Sequence, residues 1–223
     1  MSDRGYSGEV KVQAGDVVLD GNLAIPEGAC GIVVFAHGSG SSRFSPRNRA
    51  VAQYLNEGGL ATLLFDLLTA DEHEADTYTR ELRFDTELLS RRLVGVVDWL
   101  GKQSHTRTLR IGLFGASTGA AAALIAAAQR PGPVAAVVSR GGRPDLAGEA
   151  LPNVKAPTLL IVGGLDHPVI DMNREASLQM KVAPQLEIVP GATHLFEEPG
   201  KLDEIARLSR DWFQQHLVCA HGS

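Results

Sequence analysis

The chain has 223 residues, 44% of them hydrophobic and 21% charged, enough to fill the core of one sizeable domain and too apolar for disorder throughout. Twenty-six acidic against 21 basic residues give a net charge of −5, which leaves no broad basic surface for nucleic acid. The longest apolar stretches, such as 120–128, fall far short of the roughly 20 residues of a membrane span, and MSDRGYSGEV has no apolar core of a signal peptide.

Residues 9–25 read as an antiparallel hairpin: Val10, Val12 and Ala14 alternate with Lys11 and Gln13, and Gly15-Asp16 supplies the turn. Largely apolar runs follow at 32–36, 61–65, 109–114, 134–138, 158–162 and 186–189. Strands apolar on both faces belong to a parallel sheet covered by helices on each side. Helices are predicted between them over 47–57, 84–102, 118–129, 170–182 and 201–217; Leu88, Leu89, Arg92, Val96 and Trp99 carry the helical spacing. Asp71, Glu72, His73, Glu74 and Asp76 read as a solvated acidic loop, and 141–157 as a small flap. No repeat or Pro/Gly/Ser-rich linker interrupts the pattern, so residues 1–223 are read as a single α/β domain. In such sheets ligands bind beyond the carboxyl ends of the strands.

Those ends carry the chemistry. The run 109–114 leads into Gly115-Ala-Ser117-Thr-Gly119 and an alanine-rich helix. A sharp strand-to-helix turn would hold the Ser117 hydroxyl at the tip of the sheet, with flanking glycines removing clashes. A serine nucleophile needs a base, and the base an orienting carboxylate. Asp166 follows the apolar run 158–162 after three intervening residues (Gly-Gly-Leu-Asp), and His194 follows the last run in Gly-Ala-Thr-His. Asp171 is the alternative carboxylate, and His167 a competing base that follows the wrong strand.

The run 32–36 ends in His37-Gly38-Ser39-Gly40. Backbone N–H groups of Ser39 and Thr118 are the expected oxyanion donors. His37 is expected to anchor this loop and is kept as a substrate-binding candidate. Arg43, Arg47 and Arg49, beside Asn48, crowd the same edge, as do Arg140 and Arg143. Arg43, Arg140 and Arg143 are candidates to orient an anionic acyl or leaving group; the alternative is that they fasten loops through Asp66, Asp145 or Glu198. No metal-binding motif is present. Cys30 and Cys219 have no CxxC spacing and are expected as free thiols in a reducing, cytoplasmic setting.

The stretches FAHGSGSSR, LLFDLLT, FGASTGAAAAL, SRGGRPDL and GATHLFEEPG, with the chain order Ser117, Asp166, His194, resemble the α/β-hydrolase superfamily, and within it a bacterial subgroup of dienelactone hydrolase-like proteins. The likeness spans about residues 9–217. It implies the α/β-hydrolase fold: a mostly parallel eight-stranded sheet with the N-terminal hairpin, helices on both faces and no large cap domain. It also implies a Ser-His-Asp triad and hydrolysis without a cofactor. Proteins of this kind occur alone or fused to phosphoribosyltransferase domains. Dienelactone hydrolases themselves use a cysteine nucleophile, where this chain has Ser117.

The expected function is a serine hydrolase that cleaves a small carboxylic ester, thioester or lactone through an acyl-enzyme. Two alternatives stay open: a non-catalytic ligand-binding protein on the same scaffold, and an acyltransferase or peptidase using the same triad. The expected partner is a small-molecule ester, anionic on the sharper reading of the arginines, with no nucleic acid, membrane, metal or cofactor. The oligomeric state is left open.

Overall fold

Strands β1 (Tyr6–Ala14) and β2 (Val17–Ile25) form the antiparallel hairpin, and the computed structural model describes residues 5–219. Six further strands follow: β3 (Gly31–Ala36), β4 (Ala61–Phe65), β5 (Arg110–Ala116), β6 (Val134–Arg140), β7 (Thr158–Gly163) and β8 (Gln185–Val189). They join in one eight-stranded sheet of order β1-β2-β4-β3-β5-β6-β7-β8. Only the pairings of β1 with β2 and of β2 with β4 are antiparallel.

Neighbouring residues on one strand enter different cores, which is why the central runs are apolar at most positions. Val33, Phe35, Phe114 and Val138 pack beneath α1 (Pro46–Glu57) and α6 (Lys201–His216), with Leu55, Ile205 and Phe213. Val34, Leu63, Leu113 and Val137 face the opposite way, beneath α3 (Thr86–Leu100) and α4 (Thr118–Gln129), with Leu93, Val97 and Leu124. Ala120 to Ala123 on α4 are wholly buried; their short side chains let the helix lie close to the sheet.

Three expectations are corrected and one is sharpened. The acidic stretch is not a solvated loop. It is helix α2 (Ala70–Thr79), started by a capping box in which Thr69 accepts from the Glu72 N–H and Glu72 accepts from the Thr69 N–H. Glu72 pairs with Arg92, and buried Asp76 with Arg83. The segment 141–157, expected as a small flap, holds two short 3₁₀ turns over 144–153 that meet at Gly148, and its Ala147 and Leu151 are packed into the core. Helix α5 (His167–Gln179) begins three residues before the expected start, with Pro168 in its first turn, where the missing N–H costs nothing. Cys30 and Cys219 are not free thiols: they form a disulfide with their Cα atoms 4.9 Å apart, inside the range such a bond requires.

Candidate active site

The strand order reverses between β4-β3 and β3-β5, so the loops after β3 and β5 diverge to opposite faces and leave a crevice at the carboxyl edge. Ser117 sits at the mouth of this crevice with φ +52° and ψ −119°. Only tight packing holds a serine there, and the flanking glycines permit it. A Cβ on Gly115 would lie 2.4 Å from the Ala120 Cα, and one on Gly119 would lie 2.2 Å from the Ala36 carbonyl oxygen. The start of α4 is thereby pressed against the end of β3. The Ser117 N–H donates to the Arg140 carbonyl, and the Arg143 N–H donates to that of Ser117.

Asp166 and His194 meet because the loops after β7 and β8 interlock. The Gly164 N–H donates to the Val189 carbonyl, and the Leu165 N–H to that of Ala192. The Asp166 carboxylate lies 2.7 Å from His194 Nδ1. Although Asp166 occupies the N-cap position of α5, its side chain makes no cap bond and is left to the imidazole. A carboxylate acceptor fixes the proton on Nδ1 and leaves Nε2 as the free acceptor. The Thr193 N–H and hydroxyl both donate to Glu198, which pins the residue next to the histidine. Asp171 and His167 are exposed and have no part in this contact.

Ser117 and His194 line one open cleft of about 230 Å³ together with Gly38, Ser39, Arg47 and Arg140. The N–H groups of Ser39 and Thr118 find no backbone acceptor among the described residues. They are donors without an internal partner, beside the serine.

The remaining sequence candidates divide. His37 is buried, with Nδ1 against the Gly38 carbonyl and Nε2 accepting from the Leu67 N–H. It anchors the loop and presents neither nitrogen to a substrate. Burial pushes its pKa below the ordinary histidine value and keeps the ring neutral. Arg43 is engaged within the protein: its guanidinium grips Asp66 at 2.6 Å and Asn22 at 2.9 Å. Arg143 is likewise held by Asp145 through two bonds of 2.8 and 3.0 Å. Each fastens a loop. Arg140 differs: it is 6% exposed, lines the cleft and has no carboxylate partner among the described residues. Burial and the neighbouring Arg47 lower its pKa to about 10, so it remains a cation at neutral pH.

Sequence reasoning placed Arg47 and Asn48 at this edge without assigning either to the site, yet both line the cleft. The signal was the Ser45-Pro46 helix start, which aims the first turn of α1 at the crevice. Glu198 was seen only as a partner for arginine. Among the described residues, no group of three or more His, Cys, Asp or Glu is placed to hold a metal ion, and no helix is long and apolar enough to cross a membrane.

A crystal structure of a dienelactone hydrolase from Anabaena variabilis is 60% identical, covering 96% of this chain and 100% of that one, with a TM-score of 0.95. The esterase Est1E from Butyrivibrio proteoclasticus shares the fold at 19% identity, with a TM-score of 0.77 over 94% of this chain and 98% of its own. Two Mycobacterium tuberculosis proteins, provisionally named phosphoribosyl transferases, are 57% identical over 214 residues, or 96% of this chain. The present chain spans about half the length of these curated relatives, 47%. The dienelactone hydrolase family model matches residues 19–216, and with these likenesses over nearly its whole length the chain belongs to the dienelactone hydrolase family.

Proposed function

We propose that the chain is a serine hydrolase that cleaves a small carboxylic ester, thioester or lactone. One observation carries this reading: Ser117 on its strained turn shares a cleft with His194, whose Nδ1 is held 2.7 Å from Asp166. Ser117 Oγ attacks the acyl carbon while His194 Nε2 takes its proton. Asp166 holds the tautomer and stabilises the imidazolium. The Ser39 and Thr118 N–H groups donate to the oxyanion of the tetrahedral intermediate. His194 returns the proton to the leaving group, and water then attacks the acyl-enzyme with His194 again as base. Membership of the dienelactone hydrolase family and the similarity to the Anabaena protein support hydrolysis.

The test is labelling by a fluorophosphonate together with steady-state hydrolysis of a nitrophenyl ester. Ser117→Ala should abolish labelling and lower kcat by about 10⁵-fold. Full labelling of Ser117→Ala would remove the serine from its role. An acyl burst in the wild-type protein with no steady state would instead identify a binding protein.

A further inference from the structure

Four buried or partly buried arginines are each held by a carboxylate, and the buried Arg140 is not. Arg92 pairs with Glu72, Arg83 with Asp76, Arg43 with Asp66, and Arg143 with Asp145. Arg140 is 94% buried by its 6% exposure, and its Nε has no hydrogen-bond partner among the described residues. A guanidinium removed from water without a counter-charge is costly, and breaking a buried pair typically leaves such a group as the main penalty. This one lies at the end of β6, where its carbonyl accepts from the Ser117 N–H, so it is tied to the proposed nucleophile. Its side chain lines the same cleft.

A second cation faces that volume. The Nε of Arg47 is buried and also without a partner. Its nearest carboxylate, Glu197, lies 3.6 Å away with a side chain 65% exposed, a contact that water and salt largely screen. Arg47 stands in the first turn of α1, whose positive dipole end adds to the field. The wall beside Ser117 is therefore assembled for a group that brings negative charge and several acceptor oxygens.

The charge count selects among anions. A carboxylate offers one charge and two oxygens, enough to occupy one guanidinium fork. A phosphate monoester offers three oxygens and nearly two charges at neutral pH, enough for both arginines. We propose that Arg140 and Arg47 form an anion subsite for a phosphate group on the substrate, so that the ester or lactone cleaved at Ser117 is a phosphorylated one. This rests on the hydrolase reading above and adds the chemical class of its substrate.

The experiment separates the two. Calorimetric binding of phenyl phosphate and of benzoate is measured on the wild-type chain, Arg140→Gln and Arg47→Gln, with folding checked by circular dichroism. The wild-type chain should bind phenyl phosphate more tightly than benzoate. Each substitution should weaken phenyl phosphate binding by roughly tenfold. If Arg140→Gln does not fold, Arg47→Gln carries the same expectation from a partly exposed side chain. Phenyl phosphate should also slow fluorophosphonate labelling of Ser117. Benzoate binding as tight as or tighter than phenyl phosphate, or phenyl phosphate binding unchanged in the folded variants, overturns the subsite. Absence of labelling at Ser117 with phosphate binding intact would overturn the hydrolase reading and leave the subsite standing.

Discussion

Ser117 keeps a backbone conformation that costs a non-glycine residue about 1–3 kcal/mol, and the fold retains it because it exposes the hydroxyl. Ser117→Gly should therefore raise stability by about 1 kcal/mol while abolishing hydrolysis. Urea unfolding and ester assays would show whether the two move in opposite directions. Asp166→Asn should lower kcat by about 10⁴-fold through the wrong imidazole tautomer. Asp171→Asn, on an exposed position without that contact, should retain nearly full activity. A larger loss from Asp171→Asn would transfer the orienting role to it. The proposed triad could be picked out of the sequence because each candidate member occupies a recognisable turn after a buried strand. The arginines were not. Whether Arg43, Arg140 or Arg143 is free depends on the carboxylate that folding brings to it, and Asp66 and Asp145 claim two of the three.

The loop after β3 is braced by an element whose sequence conceals it. Helix α2 buries little but Asp76, so its apolar pattern is weak and its acidic residues suggest solvent. The Thr69-x-x-Glu72 capping box was the readable sign, and the ion pairs that complete it were not readable. A chain of contacts joins this helix to the site: Glu72 holds Arg92, Arg92 donates to the Leu67 carbonyl, and the Leu67 N–H donates to His37. The Arg92 hydrogen bond is the main cause holding the Glu72 carboxyl below its ordinary value of 4.5. A lowered carboxyl stabilises the fold fully above that value, and the contribution is lost as pH falls through the lowered one. Glu72→Gln leaves Arg92 buried without its counter-charge and should cost about 2–3 kcal/mol at neutral pH. The deficit should shrink towards zero in acid. Unfolding midpoints measured from pH 7 down to the acid limit of the fold test this, and a deficit independent of pH would mean that the ion pair contributes nothing.

At the scale of the molecule, the sheet was the most legible feature. A strand covered on both faces is apolar at most positions, and that constraint is written in consecutive residues. The contact between the chain's two ends leaves no such trace. Leu217 packs against Gly31, where a Cβ would come within 2.6 Å of its side chain, and Cys219 then reaches Cys30 at the entrance to β3. Cysteines 189 residues apart carry no local signal of pairing, so composition favoured free thiols. A crosslink over that span removes loop entropy from the unfolded chain worth about 5 kcal/mol. For a domain of this size that corresponds to a fall in Tm of about 10 °C or more on reduction. Cys219→Ser should show the same fall without reductant and no further change with it. Thiol titration of the unreduced, denatured wild-type protein should find neither cysteine free. Two titratable thiols in protein prepared without reductant, or a Tm indifferent to reductant, would return Cys30 and Cys219 to the unpaired state that the sequence suggested.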